Sequence, residues 1–495
     1  MTIEAIRSRC SDLHVELATA YHRAGAGLSA ELDTSGILDR YQDLVDPARV
    51  AEVTAASSAA DNGRERRRLA MLRDHVAWVY DAYTSRELVD RLQREEAQAE
   101  VTVDGETFPY RALAIKLMNE PDRARRERLA AARDAALAGF EPLYLEQFQQ
   151  TQQIARDLGF ANHRERCELL GGLPLEALAT AVRELLEATE TLYAGLLPAA
   201  LEPLGVPAAE ASWFDFSHLF RVTAFDDWFP AAGLLPRITR MIEALGLDIH
   251  AAGRVAFDLE ERPLKSPRPF CSVLRVPWEV VLVLRPMGGL SDYAAFLHEL
   301  GHALHFGYAS PELPWEFRHL GDNSITEGYA FLFDRLTVDP DWLSEFAELP
   351  EPGPLVHLLA LRELMMVRKY SAQLLYELEL FERDDPRPLA EAWAARLSRA
   401  TGVRQSPANY LASVDPMFYS ARYLQGWLYE ALLNSRLRGE HGPRWYAQPA
   451  AGQQLRELYA RGQDIEVAGL FTALGAAPLD PQPLLQRTWR EFGVG

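Results

Sequence analysis

Three histidines and a glutamate lie within eight residues of the otherwise apolar stretch FLHELGHALHFGYA, residues 296–309. His298 and His302 are four positions apart, which on a helix places them on one face, one turn from each other. Two imidazoles in this arrangement can bind the same metal ion. Glu299 lies about 100° further around the helix, where it can reach a water on that ion. The spacing matches a known zinc-binding signature and predicts a zinc site.

A zinc ion with two histidine ligands needs a further ligand from the protein. One known arrangement places a third histidine six residues after the second, but that residue is Tyr308 here. The acidic residues further along the chain are the alternatives: Glu312, Glu316, Asp322 and Glu327. We expect Glu327 to be the ligand, because DNSITEGYAFLFDRL is typical of a capped helix start followed by an apolar helix.

Residues around this set could support it without binding the ion. Asp334 follows Glu327 by two helical turns and could orient a ligand imidazole through its free N–H, and Asp322 could do the same. A surface position for either residue is an equal alternative. His305 lies on the face of His298, one turn beyond His302, so it could contact a substrate or be an ordinary core histidine.

The elements that must position these residues are mainly helices. We predict a zinc helix at 292–308 capped by Ser291 or Asp292, and a third-ligand helix at 324–336. A β-branched run divided by proline predicts edge strands within 270–285. Asp104-Gly105 predicts a type I′ hairpin near 100–108.

The chain of 495 residues is expected to form one continuous unit with a mainly α fold and a small β-sheet beside the zinc helix. We assign residues 1–200 to an N-terminal helical lobe and 201–495 to a catalytic lobe, which also contains a tyrosine segment at 410–427. Proline- and glycine-rich breaks occur at 202–212, 349–354 and 475–483.

Composition and charge narrow the class of protein. The net charge of −20 disfavours nucleic acid and anionic membranes as partners. No membrane-spanning apolar run and no secretory signal is expected, which indicates a cytoplasmic protein. The three cysteines are far apart, so a disulfide framework and a cysteine-ligated zinc are disfavoured. Any metal must be bound by histidines and carboxylates.

The sequence resembles the oligoendopeptidase F and thimet oligopeptidase family of zinc metallopeptidases. FLHELGHALH, with a glutamate at the spacing of Glu327, carries the resemblance, together with the preceding PRPFCSVLRVPWEVVLVLRP (267–286). MFYSARYLQG (417–426) is similar to that family's tyrosine-rich segment. The resemblance implies an elongated, two-lobed helical body with a deep channel. It also implies one Zn²⁺ ion bound by His298, His302 and Glu327, with Glu299 as general base and proton shuttle.

The resemblance also suggests roles for aromatic residues. Tyr423 would donate to the developing oxyanion, with Tyr419 near it and Tyr410 as a further contact. Arg422 could bind a substrate carboxylate, and a surface arginine is the alternative. The sequence departs from the family before the tyrosine segment, because SPANYLASVD (406–415) lacks the histidine expected about ten residues earlier, and Ser413 stands near its position. The specific match covers only about residues 265–335, and the first half resembles the family only in helical character.

These features favour zinc-dependent hydrolysis of peptide bonds in short peptides, which is oligoendopeptidase activity. A zinc carboxypeptidase or dipeptidyl carboxypeptidase is the first alternative, since the chain is closer in length to the helical zinc carboxypeptidases. A catalytically weak peptide-binding protein on the same scaffold is the second. The expected partners are short peptides, and the chain is expected to be a monomer or homodimer.

Overall fold

The computed structural model describes residues 1–494, apart from the side chain of Pro416. The predicted mainly α fold with a small sheet is confirmed. In chain order, the α-helices are α1 (Ile3–Gly25), α2 (Thr34–Asp39), α3 (Pro47–Ala59), α4 (Gly63–Gln98), α5 (Leu113–Asn119), α6 (Arg123–Asp157), α7 (His163–Leu169), α8 (Leu175–Leu201), α9 (Trp213–Leu219), α10 (Ala231–Ala244), α11 (Leu290–Tyr308), α12 (Trp315–His319), α13 (Asn323–Asp334), α14 (Pro340–Glu345), α15 (Gly353–Leu380), α16 (Ala390–Thr401), α17 (Tyr419–His441), α18 (Pro449–Tyr459), α19 (Val467–Ala473) and α20 (Gln482–Glu491). Among the described residues, no helix is both long and apolar enough to span a bilayer.

The strands form two small sheets. They are β1 (Glu100–Val103), β2 (Glu106–Pro109), β3 (Val255–Asp258), β4 (Phe270–Arg275) and β5 (Glu279–Val283). β1 and β2 form the predicted hairpin, and both turn residues, Asp104 and Gly105, have positive φ as a type I′ turn requires. In the three-stranded sheet, β5 is central, with β3 parallel on one side and β4 antiparallel on the other. Pro277 lies in the turn between β4 and β5, and β4 is an edge strand, but the prediction of edge strands within 270–285 is wrong for β5.

The chain folds into two compact units, each built from separate segments. The first contains 1–83, 223–357 and the chain from 422 onward, and the second contains 84–222 and 358–421. The predicted boundary at residue 200 does not coincide with this division. Proline- and glycine-rich stretches in the sequence indicate loops, but they carry no information about which helices pack together.

In the second unit, the β1–β2 hairpin packs on helices α5, α6 and α9. Its inward side chains form a core with Leu117 and Leu129, to which the strands contribute Val101, Val103 and Phe108. In the first unit, α11 packs on the three-stranded sheet through Ala303, which contacts Val255 and Val280. This sheet therefore supports the helix that carries the His298–His302 pair.

Candidate metal centre

The structure brings His298, His302 and Glu327 together in the first unit. One ligand atom from each residue lies within 4.8 Å of the others. Glu327 Oε2 is 3.6 Å from His298 Nε2 and 3.9 Å from His302 Nε2. Tetrahedral zinc with bonds of about 2.0–2.2 Å places neighbouring ligand atoms about 3.3–3.6 Å apart. One of the two distances lies within this range and the other is 0.3 Å longer, so a small side-chain movement would let this group, which we call the His–His–Glu group, bind one zinc ion.

The second ring nitrogen of each histidine faces an oxygen. His298 Nδ1 is 2.9 Å from Asp334 Oδ2, and His302 Nδ1 is 2.8 Å from Thr326 Oγ1. A carboxylate only accepts hydrogen bonds, so Nδ1 of His298 carries the proton. The same tautomer lets His302 donate to Thr326. When both rings are neutral, both Nε2 lone pairs lie on the side of Glu327, which is the arrangement that a metal ligand requires, and a bound cation would take the place of the second proton on His298.

Charges around the two imidazoles act on their pKa values in opposite directions. Burial lowers the pKa of His298, but the hydrogen bond to Asp334 and the charges of Asp334, Glu327 and Glu299 outweigh it and raise the pKa to about 9. Burial, followed by the charge of His298, holds the pKa of His302 well below its usual value. The group thus favours a positive charge beside His298, which a cation would also satisfy.

Glu299 lies beside the His–His–Glu group, on the side of strand β4. Burial raises the pKa of its carboxyl group; the charge of His298 opposes this, and the charges of Glu327 and Asp334 add to it. A hydrogen bond with the Cys271 backbone opposes the rise. A carboxylate whose pKa is raised toward neutrality is a better proton acceptor than an exposed one.

A close approach of helices α11 and α13 brings Glu327 to the histidines. A Cβ atom on Gly301 would lie 2.6 Å from both Ala330 Cα and Tyr329 O. Gly426 on α17 is similar, since a Cβ there would lie 3.0 Å from Glu327 Cβ. Real Cβ atoms do not approach other atoms as closely as 2.6 Å, so the site depends on glycine at position 301.

The beginning of α13 is capped by Asp322, which does not contact the imidazoles. Its carboxylate accepts from Ser324 N and Ser324 Oγ, and from Arg422 Nη1 at 2.8 Å. The alternative that Arg422 is a surface residue is wrong, because it is only 8% exposed. Its guanidinium binds the cap of the helix that carries Glu327, so Arg422 positions this helix.

The tyrosines lie in different surroundings. Tyr423 packs in the first unit with its ring 6.1 Å from that of Phe331, which in turn lies 5.4 Å from the His298 ring. In the second unit, Tyr410 donates to Glu141 Oε1 at 2.6 Å and is 4% exposed. Tyr419 is the first residue of α17 and is half-buried in the second unit.

His305 lies in the core and is fully buried. Its ring is 4.9 Å from the rings of Phe306 and Tyr329, and burial lowers its pKa to about 4. A fully buried ring cannot contact a substrate, so the structure places His305 as a core histidine.

Some features of the site were not predicted from the sequence. Thr326 was missed, although its position directly before Glu327 was a signal that it shares the start of α13. The predicted cap of α11 is also wrong: the helix begins after Gly289, Asp226 accepts from Leu290 N, and Asp292 accepts from the Met287 and Gly288 amides.

Comparison with known proteins supports the fold. No protein-family profile and no curated protein sequence matches the chain. A solved structure of PZ peptidase A with an inhibitor superposes with a TM-score of 0.71 at 16% identity, covering 93% of this chain and 86% of that one. A structure from Bacillus anthracis str. Ames assigned to oligoendopeptidase F gives 0.68 at 15% identity, covering 97% and 88%. The M32 carboxypeptidase of Deinococcus radiodurans R1 gives 0.63 at 18% identity, covering 99% of each chain.

The chain has the fold of these peptidases. The resemblance to oligoendopeptidase F is thereby confirmed at the level of the fold.

Proposed function

We propose that this chain is a zinc-dependent peptidase that hydrolyses peptide bonds in short peptides. The observation that carries the proposal is the convergence of His298, His302 and Glu327, with Glu327 Oε2 3.6 Å from His298 Nε2 and 3.9 Å from His302 Nε2. The hydrogen bonds at both Nδ1 atoms add support, because they direct the opposite lone pairs to one point. The fold shared with peptidases is consistent with it.

In this proposal, His298, His302 and Glu327 bind one zinc ion. When bound, zinc polarises the scissile carbonyl and lowers the pKa of its water toward neutrality. Glu299 accepts the proton of the attacking water and passes it to the leaving amine. Its raised pKa fits both steps, since a group that must accept and then donate a proton works best near the operating pH.

The remaining residues would assist. Asp334 holds the His298 imidazole in one tautomer, Thr326 holds the orientation of the His302 ring, and Arg422 holds the start of α13 through Asp322. Tyr423, which lies in the first unit with the His–His–Glu group, is the proposed donor to the oxyanion, because a neutral hydroxyl stabilises developing negative charge without adding a buried charge.

The direct test compares Glu299→Gln with the wild-type protein on a mixture of short synthetic peptides, with zinc content measured in parallel. We expect kcat/KM to fall by about 10²–10⁴-fold while one zinc per chain is retained. Glu312→Gln is the matched control, since Glu312 is exposed and was the rejected ligand candidate. Unchanged cleavage by Glu299→Gln would refute the mechanism.

Carboxypeptidase activity is the second candidate, because the M32 carboxypeptidase structure and this chain cover 99% of each other. Such an enzyme needs a cation for the substrate C-terminus. Arg422 is a poor candidate for that cation, because its guanidinium already binds Asp322. Peptides with amidated C-termini separate the two activities: an endopeptidase cleaves them as fast as the free acids, and a carboxypeptidase does not.

A further inference from the structure

A cluster of aromatic side chains lies in the first unit, beside strand β4. It consists of His14, His75, Trp78, Trp315 and His319, and we call it the aromatic cluster. The Trp315 ring lies 6.3 Å from that of His14 and 6.0 Å from that of His319. It also lies 5.7 Å from the ring of His75, on which Trp78 stacks at 5.4 Å. None of these residues belongs to the His–His–Glu group.

Strand β4 joins the aromatic cluster to the proposed peptidase centre. The backbone of Cys271 forms a hydrogen bond with Glu299, and the backbone of Val273 forms one with His14. Residues two apart on a strand direct their backbone groups to the same edge, and this is the edge that β5 does not cover. A strand rises about 3.3 Å per residue, so the two contacts are about 7 Å apart. An extended peptide whose cleaved bond lies beside Glu299 would therefore reach His14 after about two residues.

A chain of hydrogen bonds fixes the histidines of the cluster that lie beside β4. The Val276 amide donates to His319 Nε2 at 3.3 Å, and His319 Nδ1 lies 3.1 Å from His14 Nε2. Together with the contact to Val273, these bonds use both ring nitrogens of His14 and of His319. Burial lowers the pKa of His319 to about 2 and that of His75 to about 3, so both rings are uncharged at neutral pH. The histidines therefore contribute uncharged ring faces to the cluster.

Part of this aromatic surface is open to solvent. Trp78 is 38% exposed, and the other four members of the cluster are half-buried. A further tryptophan, Trp278, directly follows β4; it is 53% exposed and has the guanidinium of Arg318 over its ring at 4.7 Å. Exposed apolar patches with polar residues around them mark binding sites. The patch is thus accessible to a ligand that continues along β4.

We propose that the aromatic cluster binds an aromatic side chain of the peptide substrate, two or more residues from the bond that is cleaved. This inference rests on the proposed peptidase function and adds to it the class of side chain that the enzyme prefers. An aromatic side chain fits because rings in stacked or edge-to-face contact stabilise a complex beyond the burial of their area.

Cleavage of a series of alanine-based peptides, each with one phenylalanine at a different position, tests this inference. We expect kcat/KM to be about tenfold higher when the phenylalanine stands at one position two or more residues from the cleaved bond. Trp78→Ala should bring this ratio close to one, and Trp78→Phe should retain it. Trp228→Ala is the matched control, because Trp228 is 39% exposed and lies in the first unit outside the aromatic cluster.

Three results of this series would overturn the inference. They are cleavage without a positional preference in the wild type, a preference that survives Trp78→Ala, and a stronger preference for lysine than for phenylalanine at the same position.

Binding to the Glu299→Gln protein separates this inference from the proposed function, because calorimetric titration with the same peptides needs no hydrolysis. We expect the best phenylalanine peptide to bind about tenfold more tightly than its alanine analogue, and Glu299→Gln/Trp78→Ala should lose this difference. If the wild type cleaves no peptide, the proposed function fails, and a difference in affinity that depends on Trp78 still supports the aromatic site. Equal affinities of the two peptides overturn the inference even where the wild type cleaves both.

Discussion

The first unit contains two groups of histidines that differ in how their ring nitrogens are used. In the His–His–Glu group, both Nδ1 atoms face oxygens and both Nε2 atoms face Glu327. The other group consists of His14, His75 and His319. There His319 Nδ1 lies 3.1 Å from His14 Nε2, and His319 Nε2 accepts from the Val276 amide.

This difference decides which group can bind a metal. In the second group, N–H donors occupy the lone pairs of both His319 and His14, and Trp78 and Trp315 surround His75. Burial lowers the pKa of His75 to about 3 and that of His319 to about 2, whereas carboxylates raise that of His298 to about 9. Clustered histidines therefore form a metal site only where acceptors hold one nitrogen and leave the other free.

Removing the carboxylate from the His–His–Glu group should have the largest effect. Glu327→Gln is expected to weaken zinc affinity about 100-fold or more, because one of three protein ligands loses its charge. Zinc affinity is measured by competition with a chromophoric chelator. Glu316→Gln is unsuitable as a control, since Glu316 is buried with Arg7 and Arg68, so exposed Glu312→Gln is used. Unchanged affinity in Glu327→Gln would remove the distinction between the two histidine groups.

Separating helices α11 and α13 should weaken zinc binding by the His–His–Glu group and leave the His14–His75–His319 group unchanged. Gly301→Ala forces a Cβ into α13 and is expected to destabilise the fold by about 1–3 kcal/mol, with weaker zinc binding. Gly439→Ala is the matched control: this exposed glycine on α17 has no atom near the added Cβ, so the substitution should stabilise slightly. Urea denaturation measures the free energy of unfolding of both variants. Equal stability of Gly301→Ala and Gly439→Ala would contradict the claim that α11 and α13 need glycine at position 301.

Loosening one imidazole should give a smaller change. Thr326→Val keeps the shape of the side chain but removes the hydroxyl beside His302 Nδ1 and leaves the contact with the Thr326 backbone, so zinc affinity should fall by up to about tenfold. Thr326→Ser retains the hydroxyl and should keep near wild-type affinity. If serine and valine have the same effect, the hydrogen bond contributes nothing and Thr326 is only a packing residue.

A substitution in the His14–His75–His319 group should change the free energy of unfolding at acid pH and leave zinc binding unchanged. The folded pKa of His75 is lower than its unfolded value, so the unfolded chain binds more protons below pH 6.5, and the free energy of unfolding falls as pH decreases from 6.5. His75→Phe removes the protonation of His75 in the unfolded chain. The slope of the free energy of unfolding against pH should therefore decrease by at most about 1.4 kcal/mol per pH unit. Urea denaturation at pH 5 and pH 7 measures it, and an unchanged slope would contradict the assignment.

Local sequence patterns predicted which residues share a helix face, but they did not predict contacts between distant segments of the chain. Helical spacing placed His298 and His302 on one face, and a cap followed by an apolar run placed Glu327 and Asp334 on one helix. Strand β3 was missed because Val255–Asp258 is too short to show a clear alternation. The burial of His305 among aromatic rings and the pairing of Arg422 with Asp322 depend on contacts between distant segments, which spacing along one element cannot reveal.

The central claim is that the His–His–Glu group, and not the His14–His75–His319 group, binds one zinc ion. Mass-spectrometric zinc analysis of purified protein tests it directly. We predict one zinc per chain in the wild type and in a His14→Phe/His319→Phe variant that remains folded, and none in His298→Ala/His302→Ala. Absence of zinc from the wild type after zinc addition, or its retention when His298 and His302 are both replaced, would contradict this account.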